Sequence, residues 1–204
     1  KAALSQASLF RGGFTLASAE GVIQVGTYKK TTAMFDILGE LVDNSLLRKD
    51  QVESGGVRYS LLESIRAYAY DKLGDPGEMG PELRGPEALK QAQERHASYF
   101  SQLGSAKALE ALDGFEGSNR WGALFNELDN LVEATRNGGV ETASLCCLAA
   151  VKVLAMKGPV SLGVDLSTQV LGMPNLSRRE QMLLEIERGK CLRISGRMDE
   201  ARAM

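Results

Sequence analysis

The sequence predicts a mainly α fold: a winged-helix-like domain with a small β-hairpin, followed by an α-α superhelix of tetratricopeptide-like hairpins. Three observations predict it. Apolar residues recur at helical spacing along most of the 204 residues. One short stretch, Val57 to Leu61, alternates instead. Glycine turns in the second half recur near the period of a stacked helical hairpin.

Residues Ala3 to Phe10 form a first short helix, which the permissive backbone of Gly12-Gly13 separates from a second, Leu16 to Val25. Thr15 is placed to cap that second helix. A third begins near Thr31 or Thr32 and sets Met34, Phe35, Leu38, Leu41 and Val42 on one apolar face. A polar stretch with Gly55-Gly56 then separates Leu46-Leu47-Arg48 from Val57, Tyr59 and Leu61, which alternate with Arg58 and Ser60 as a hairpin strand does. Leu62, Ile65, Ala69 and Leu73 resume helical spacing until Gly74, Pro76 and Gly77 end the element. Three helices, a hairpin and a closing helix make the winged-helix-like domain, residues 1–74.

Three ordered blocks carry a resemblance: Ser8 to Leu16, Leu41 to Leu47, and Arg58 to Ala69. They resemble the winged-helix segment of bacterial STAND-class signalling ATPases. The resemblance implies a segment that lies after a nucleotide-binding domain of the parent chain, presses on it and relays its nucleotide state. Related plant and animal proteins carry Met-His-Asp at the start of the closing helix, where the histidine touches the ADP phosphate. The similar positions here are Leu61, Leu62 and Glu63, and a leucine offers no donor to a phosphate oxygen. A packing or relay role is therefore expected, with Arg58, Tyr59, Glu63 and Arg66 as the domain-contact residues.

Residues 75–86 hold prolines and glycines at a density that sustains neither helix nor ladder, and form the expected linker. From Glu87 a long helical pattern places Leu89, Ala92, His96, Tyr99, Phe100 and Leu103 on one side. Trp121, Leu124, Phe125, Leu128, Leu131 and Val132 make a second stripe. Glu94 to Phe100 and Trp121 to Leu131 are similar to the start of the repeat region in the same family, and both stripes read as core. Gly189, Leu192, Gly196 and Ala201 fall at tetratricopeptide positions, and Leu154, Gly158, Gly163 and Pro174 sit at similar places one unit earlier. The turn glycines Gly158 and Gly196 are 38 residues apart, so residues 87–204 read as a degenerate, truncated array. The chain opens on Lys1 with a helical pattern already running by Leu4 and stops at Met204 inside another helix-forming stretch, as an excised fragment would.

The charge and composition weigh against several classes. A net charge of -2, with 24 basic residues spread among 26 acidic ones, gives no strong global field, so a polyanion partner is disfavoured rather than excluded. The longest apolar stretch, Leu145 to Met156, contains Lys152 and is too short to span a bilayer. Cys146, Cys147 and Cys191 form neither a disulfide framework nor a zinc pattern, so they read as small core residues in a reduced cytoplasm.

No phosphate-cradling Gly-x-x-x-x-Gly-Lys-Ser/Thr run is present, so no cofactor is expected on this chain. His96 is the single histidine, which rules out a two-histidine metal site; beside Tyr99 and Phe100 it reads as a packed structural residue. Glu127 with Asp129, and Glu185 with Glu187, read as solvated charges on different sides of their helices. No catalytic constellation assembles, and the fragment is expected not to be an enzyme. DNA reading is disfavoured because the third helix, after Lys29 and Lys30, offers Asp36, Glu40 and Asp43 and no arginine before Arg48, while Arg48, Lys49 and Arg58 on the hairpin are offset by Asp50 and Glu53.

The function expected is a non-catalytic relay and protein-interaction module of a regulatory ATPase, its repeats holding a protein or peptide partner. An uncapped apolar end near Met204 is a further expected surface for homodimerisation. The alternative is a DNA-binding winged-helix transcriptional regulator with a repeat sensor.

Overall fold

The computed structural model describes residues 1–26, 33–52, 56–76 and 83–202; Lys29, Lys30, Thr31, Thr32, Glu53, Gly55, Gly77 and Met204 lie outside them. The chain divides into two compact units, Lys1–Tyr99 and Phe100–Met204.

In the first unit the predicted order appears: α1 (Ala2–Ala7), α2 (Leu16–Val22), α3 (Met34–Asp43), β1 (Arg48–Val52), β2 (Gly56–Ser60), α4 (Glu63–Gly74) and the start of α5 (Pro86–Ser101). Thr15 caps α2 as expected: its hydroxyl accepts from the Ser18 N–H while the Ser18 hydroxyl accepts from the Thr15 N–H, closing a capping box. Gly12 and Gly13 carry φ of +67° and +91°, which a side chain would strain, and reverse the chain between α1 and α2.

The hairpin is antiparallel, with Arg48 opposite Ser60 and Asp50 opposite Arg58. A single bridge joins it to Phe14, between α1 and α2, so the wing is fastened to the start of the domain. The closing helix α4 packs on α1. Leu9, Leu73 and Ala92 form one buried cluster, with Tyr70 and Leu89 packed on it. Helix α5 therefore contributes side chains to the core of the winged-helix unit.

One side of α3 differs from expectation. The buried residues are Ile37 and Leu38, while Phe35 is 57% exposed. At about 100° per residue, Met34, Ile37, Leu38 and Leu41 share one direction, and Phe35 lies roughly 110° round from its centre.

The second unit stacks helices in sequence: α6 (Ala106–Glu110), α7 (Gly117–Asn126), α8 (Leu128–Asn137), α9 (Val140–Lys157), α10 (Val160–Leu171), α11 (Arg178–Ile194) and α12 (Met198–Arg202). The stripe from Trp121 to Val132 is broken at Glu127, whose φ and ψ of −101° and 5° leave the helical region, so it belongs to two helices. Helix α9 carries no strongly polar face and is packed by α8, α10 and α11. Cys146 and Cys147 are fully buried in it, and burial pushes each thiol up to about 12. At Gly163, a side chain would come within 3.1 Å of Cys191 Sγ; this glycine lets α10 approach α11.

Gly158 and Gly196, at φ of +72° and +77°, make the turns after α9 and α11, where the spacing put them. Glu187 is not a solvated charge: it is 7% exposed and pairs with Lys190 at 2.8 Å and Lys152 at 3.5 Å, because its position faces α9 rather than water. No helix among the described residues is long and apolar enough to cross a membrane.

Candidate functional site

The surface that distinguishes a winged helix is made by its third helix, its wing and its closing helix. The wing is held from behind. Phe14 and Tyr59 exchange main-chain hydrogen bonds of 2.8 Å in both directions. Their rings lie 5.8 Å apart, Phe10 stacks on Phe14 at 4.5 Å, and His96 meets Phe10 at 5.4 Å. These four rings run from the wing strand to α5, and aromatic pairs of this kind add about 0.5–1.5 kcal/mol each beyond burial. His96 is 2% exposed and is a packed histidine.

A second, polar tie lies beside them. Gln6 is 2% exposed; its amide donates to the Gln24 carbonyl at 2.6 Å and accepts from the Gln24 N–H at 2.8 Å. Arg95 donates from Nη2 to Gln6 Oε1 and from Nε to the Val22 carbonyl, both at 2.9 Å. Burial lowers the Arg95 pKa, yet the group starts so far above neutrality that it stays charged.

The four residues expected at a domain contact divide into two pairs. Arg58 turns inward, its Nη2 donating to the Gly13 carbonyl at 2.9 Å, and Tyr59 is 4% exposed on Phe14. Glu63 and Arg66 form an ion pair at the N-terminal end of α4, with Arg66 Nε to Glu63 Oε2 at 3.0 Å. The pairs thus take different positions: one locks the wing, the other lies on the closing helix with Glu63 in solvent.

The outward side of α3 carries Phe35, Asp36, Gly39, Glu40 and Asp43, and nothing lies within 4 Å of where a Cβ on Gly39 would stand. No basic residue occurs within α3. Among the described residues, the exposed cations nearest to α3 in sequence are Arg48 and Lys49, on the first wing strand.

A cavity of about 370 Å³ lies between α1 and α4, lined in part by Leu4, Tyr68, Lys72, Asp75 and Arg84. Its cations are engaged: Arg84 donates to the Lys72 carbonyl at 2.7 Å, closing the end of α4, and Lys72 pairs with Asp75 at 3.1 Å. Among the described residues no group of three histidine, cysteine, aspartate or glutamate side chains is placed to hold a metal ion.

Residues 2–74 match the family described as a winged helix-turn-helix domain. Three relatives share 36% identity over 97 residues, 48% of this chain. Two are from strains of Mycobacterium tuberculosis, Rv0890c and MT0914, and one is from Mycobacterium bovis, Mb0914c; each is named a candidate HTH-type transcriptional regulator. The matched part is 10% of each relative's length. No solved structure matches the chain significantly. The chain thus carries a winged helix-turn-helix domain followed by stacked helices.

Proposed function

We propose that this chain is a segment of a cytoplasmic transcriptional regulator, in which the winged helix makes protein contacts and the following helical hairpins hold a protein or peptide partner. The regulator part rests on the domain match and on the names of the relatives, which support the transcriptional-regulator alternative better than a relay module of a regulatory ATPase. The protein-contact part rests on one observation: the α3 side that would enter a major groove presents Asp36, Glu40 and Asp43 and no cation. Those carboxylates would meet phosphates, whereas groove-reading helices supply Arg, Lys, Asn or Gln to bases and backbone.

Direct DNA binding by this chain is the second reading. It is favoured by exposed Arg48 and Lys49 on the wing, together with the domain match. A titration of labelled duplex DNA at several salt concentrations separates the two. Absence of salt-dependent binding supports protein contact; binding that falls with salt and is lost in Arg48→Ala/Lys49→Ala supports the wing.

Within the first reading, relay from a nucleotide-binding domain of the parent chain is the finer role, supported by the resemblance of the three sequence blocks. Arg58, Tyr59, Glu63 and Arg66 are its residues: Arg58 and Tyr59 fix the wing, and Glu63 and Arg66 make the contact. Reversing the pair, Glu63→Arg with Arg66→Glu, is expected to change ATP turnover of the full-length regulator; unchanged turnover removes this assignment. A helical-repeat array of the tetratricopeptide type remains the proposal for residues 87–204, supported by the two glycine turns and sequential packing. The proposed homodimer would use the exposed Met182, Ile186 and Ile194 of α11 and Met198 of α12.

A further inference from the structure

We propose that the outward face of α3 docks a basic amphipathic helix of a protein partner. The inference rests on the protein-contact reading of the winged helix and names the chemistry of its partner. Two parallel ridges define the face. Phe35, Gly39 and Val42 follow one another at helical spacings of four and three, and Asp36, Glu40 and Asp43 do the same one residue on. Phe35 is 57% exposed, an apolar ring more than half open to solvent. Gly39 leaves open space beside it, since nothing lies within 4 Å of the Cβ position. A large aliphatic side chain from a partner fits over that notch against the Phe35 ring.

The acidic ridge selects the sign of what surrounds that anchor. Asp36, Glu40 and Asp43 are all exposed, and the described part of α3 carries three negative charges and no positive one. A partner helix bearing leucines on one stripe and arginines on its flank places apolar against Phe35 and cation against carboxylate at once. A duplex offers the opposite charge and no apolar stripe.

The probe is a fluorescein-labelled amphipathic peptide of about 18 residues, five helical turns, with leucines on one face and arginines beside them. Its control carries glutamate in place of arginine, and a duplex of about 20 base pairs, two turns, is titrated alongside. Anisotropy is read with the whole chain. The arginine peptide is expected to bind and the glutamate peptide not. Phe35→Ala is expected to weaken binding about tenfold, as for an aromatic anchor. Asp36→Asn with Glu40→Gln should weaken it and flatten its salt dependence, and Glu141→Gln in the second unit should leave it unchanged. Because Phe35 is mostly exposed, its truncation leaves the fold intact, and thermal melting checks this.

Equal binding of both peptides, or binding unaffected by Phe35→Ala, overturns the proposal. Duplex binding that is lost on Phe35→Ala also overturns it and assigns the face to DNA. In either failure the regulator reading stands or falls separately, on whether a promoter reporter driven by the full-length protein responds to changes in this chain.

Discussion

Phe14 and Tyr59 pair with each other twice, through reciprocal main-chain hydrogen bonds of 2.8 Å and through rings 5.8 Å apart. This relationship joins the chain before α2 to the wing 45 residues later. It also places Arg58 where its guanidinium reaches the carbonyls of Gly12 and Gly13.

Removing the Phe14 ring should therefore unfasten the wing. Phe14 is 0% exposed, and Phe14→Ala is expected to destabilise the first unit by about 3–5 kcal/mol in urea unfolding. Tyr59→Phe, which keeps ring and backbone, should cost under about 1 kcal/mol.

Two glycines in the second unit should respond oppositely to alanine. A Cβ on Gly104 would lie 1.8 Å from the Leu145 carbonyl oxygen, so Gly104→Ala forces backbone apart and should cost about 1–3 kcal/mol or more. Gly189 lies inside α11 with nothing within 4 Å of its Cβ position; Gly189→Ala should stabilise by about 0.5–1 kcal/mol. Thermal melting of both variants is the check.

Cys146 and Cys147 should resist thiol reagents until the chain unfolds. Burial is the main cause of both raised thiol pKa values, with neighbouring thiols adding at Cys147, and each reaches about 12. An unfolded thiol ionises at lower pH, so the native state binds protons that the unfolded state releases. Stability from these groups is full below the unfolded value and declines as pH rises toward about 12. Reaction with a chromogenic disulfide in and out of urea, and melting between neutral and alkaline pH, test both statements.

Glu180 should behave in the opposite sense. Burial alone would raise its pKa, but hydrogen bonds from Ser144 and Ser177 outweigh that and the net shift is downward. The Ser144 hydroxyl lies 2.5 Å from Glu180 Oε1, and the Ser177 N–H donates to Oε2 at 3.0 Å. Its contribution is present above the unfolded carboxylate range and lost as pH falls through the lowered value. Ser177→Ala, which removes the cap, should cost about 1 kcal/mol, and Ser144→Ala should raise the Glu180 pKa in a carboxyl-carbon titration.

The elements were legible in the sequence because they are local. Thr15 ahead of a helical run marks a helix start, and alternation about Tyr59 marks a strand whatever it packs against. The glycine turns at Gly158 and Gly196 were legible for the same reason. What escaped was pairing over distance. Gln6 with Arg95, 89 residues apart, leaves no periodic trace, and neither does the run of rings from Tyr59 to His96. Phe35 fits a core stripe on spacing alone, three residues before Leu38; only the centre of the buried arc, at Ile37 and Leu38, shows that it lies outside. Glu187 looks solvated from sequence because the approach of Lys152 comes from another helix. The acidic side of α3 was visible from the start, since exposed charge declares itself in composition.

Arg95 carries a consequence for how the protein is made. Its donors complete the Val22 carbonyl and the Gln6 amide, residues that leave the ribosome 73 and 89 positions earlier. At about 5–20 residues per second, those groups wait on the order of ten seconds for α5 to emerge. Until then the nascent winged helix lacks the guanidinium that joins Gln6 to the end of α2. A polypeptide ended at residue 74, where the family match stops, would lack that tie permanently.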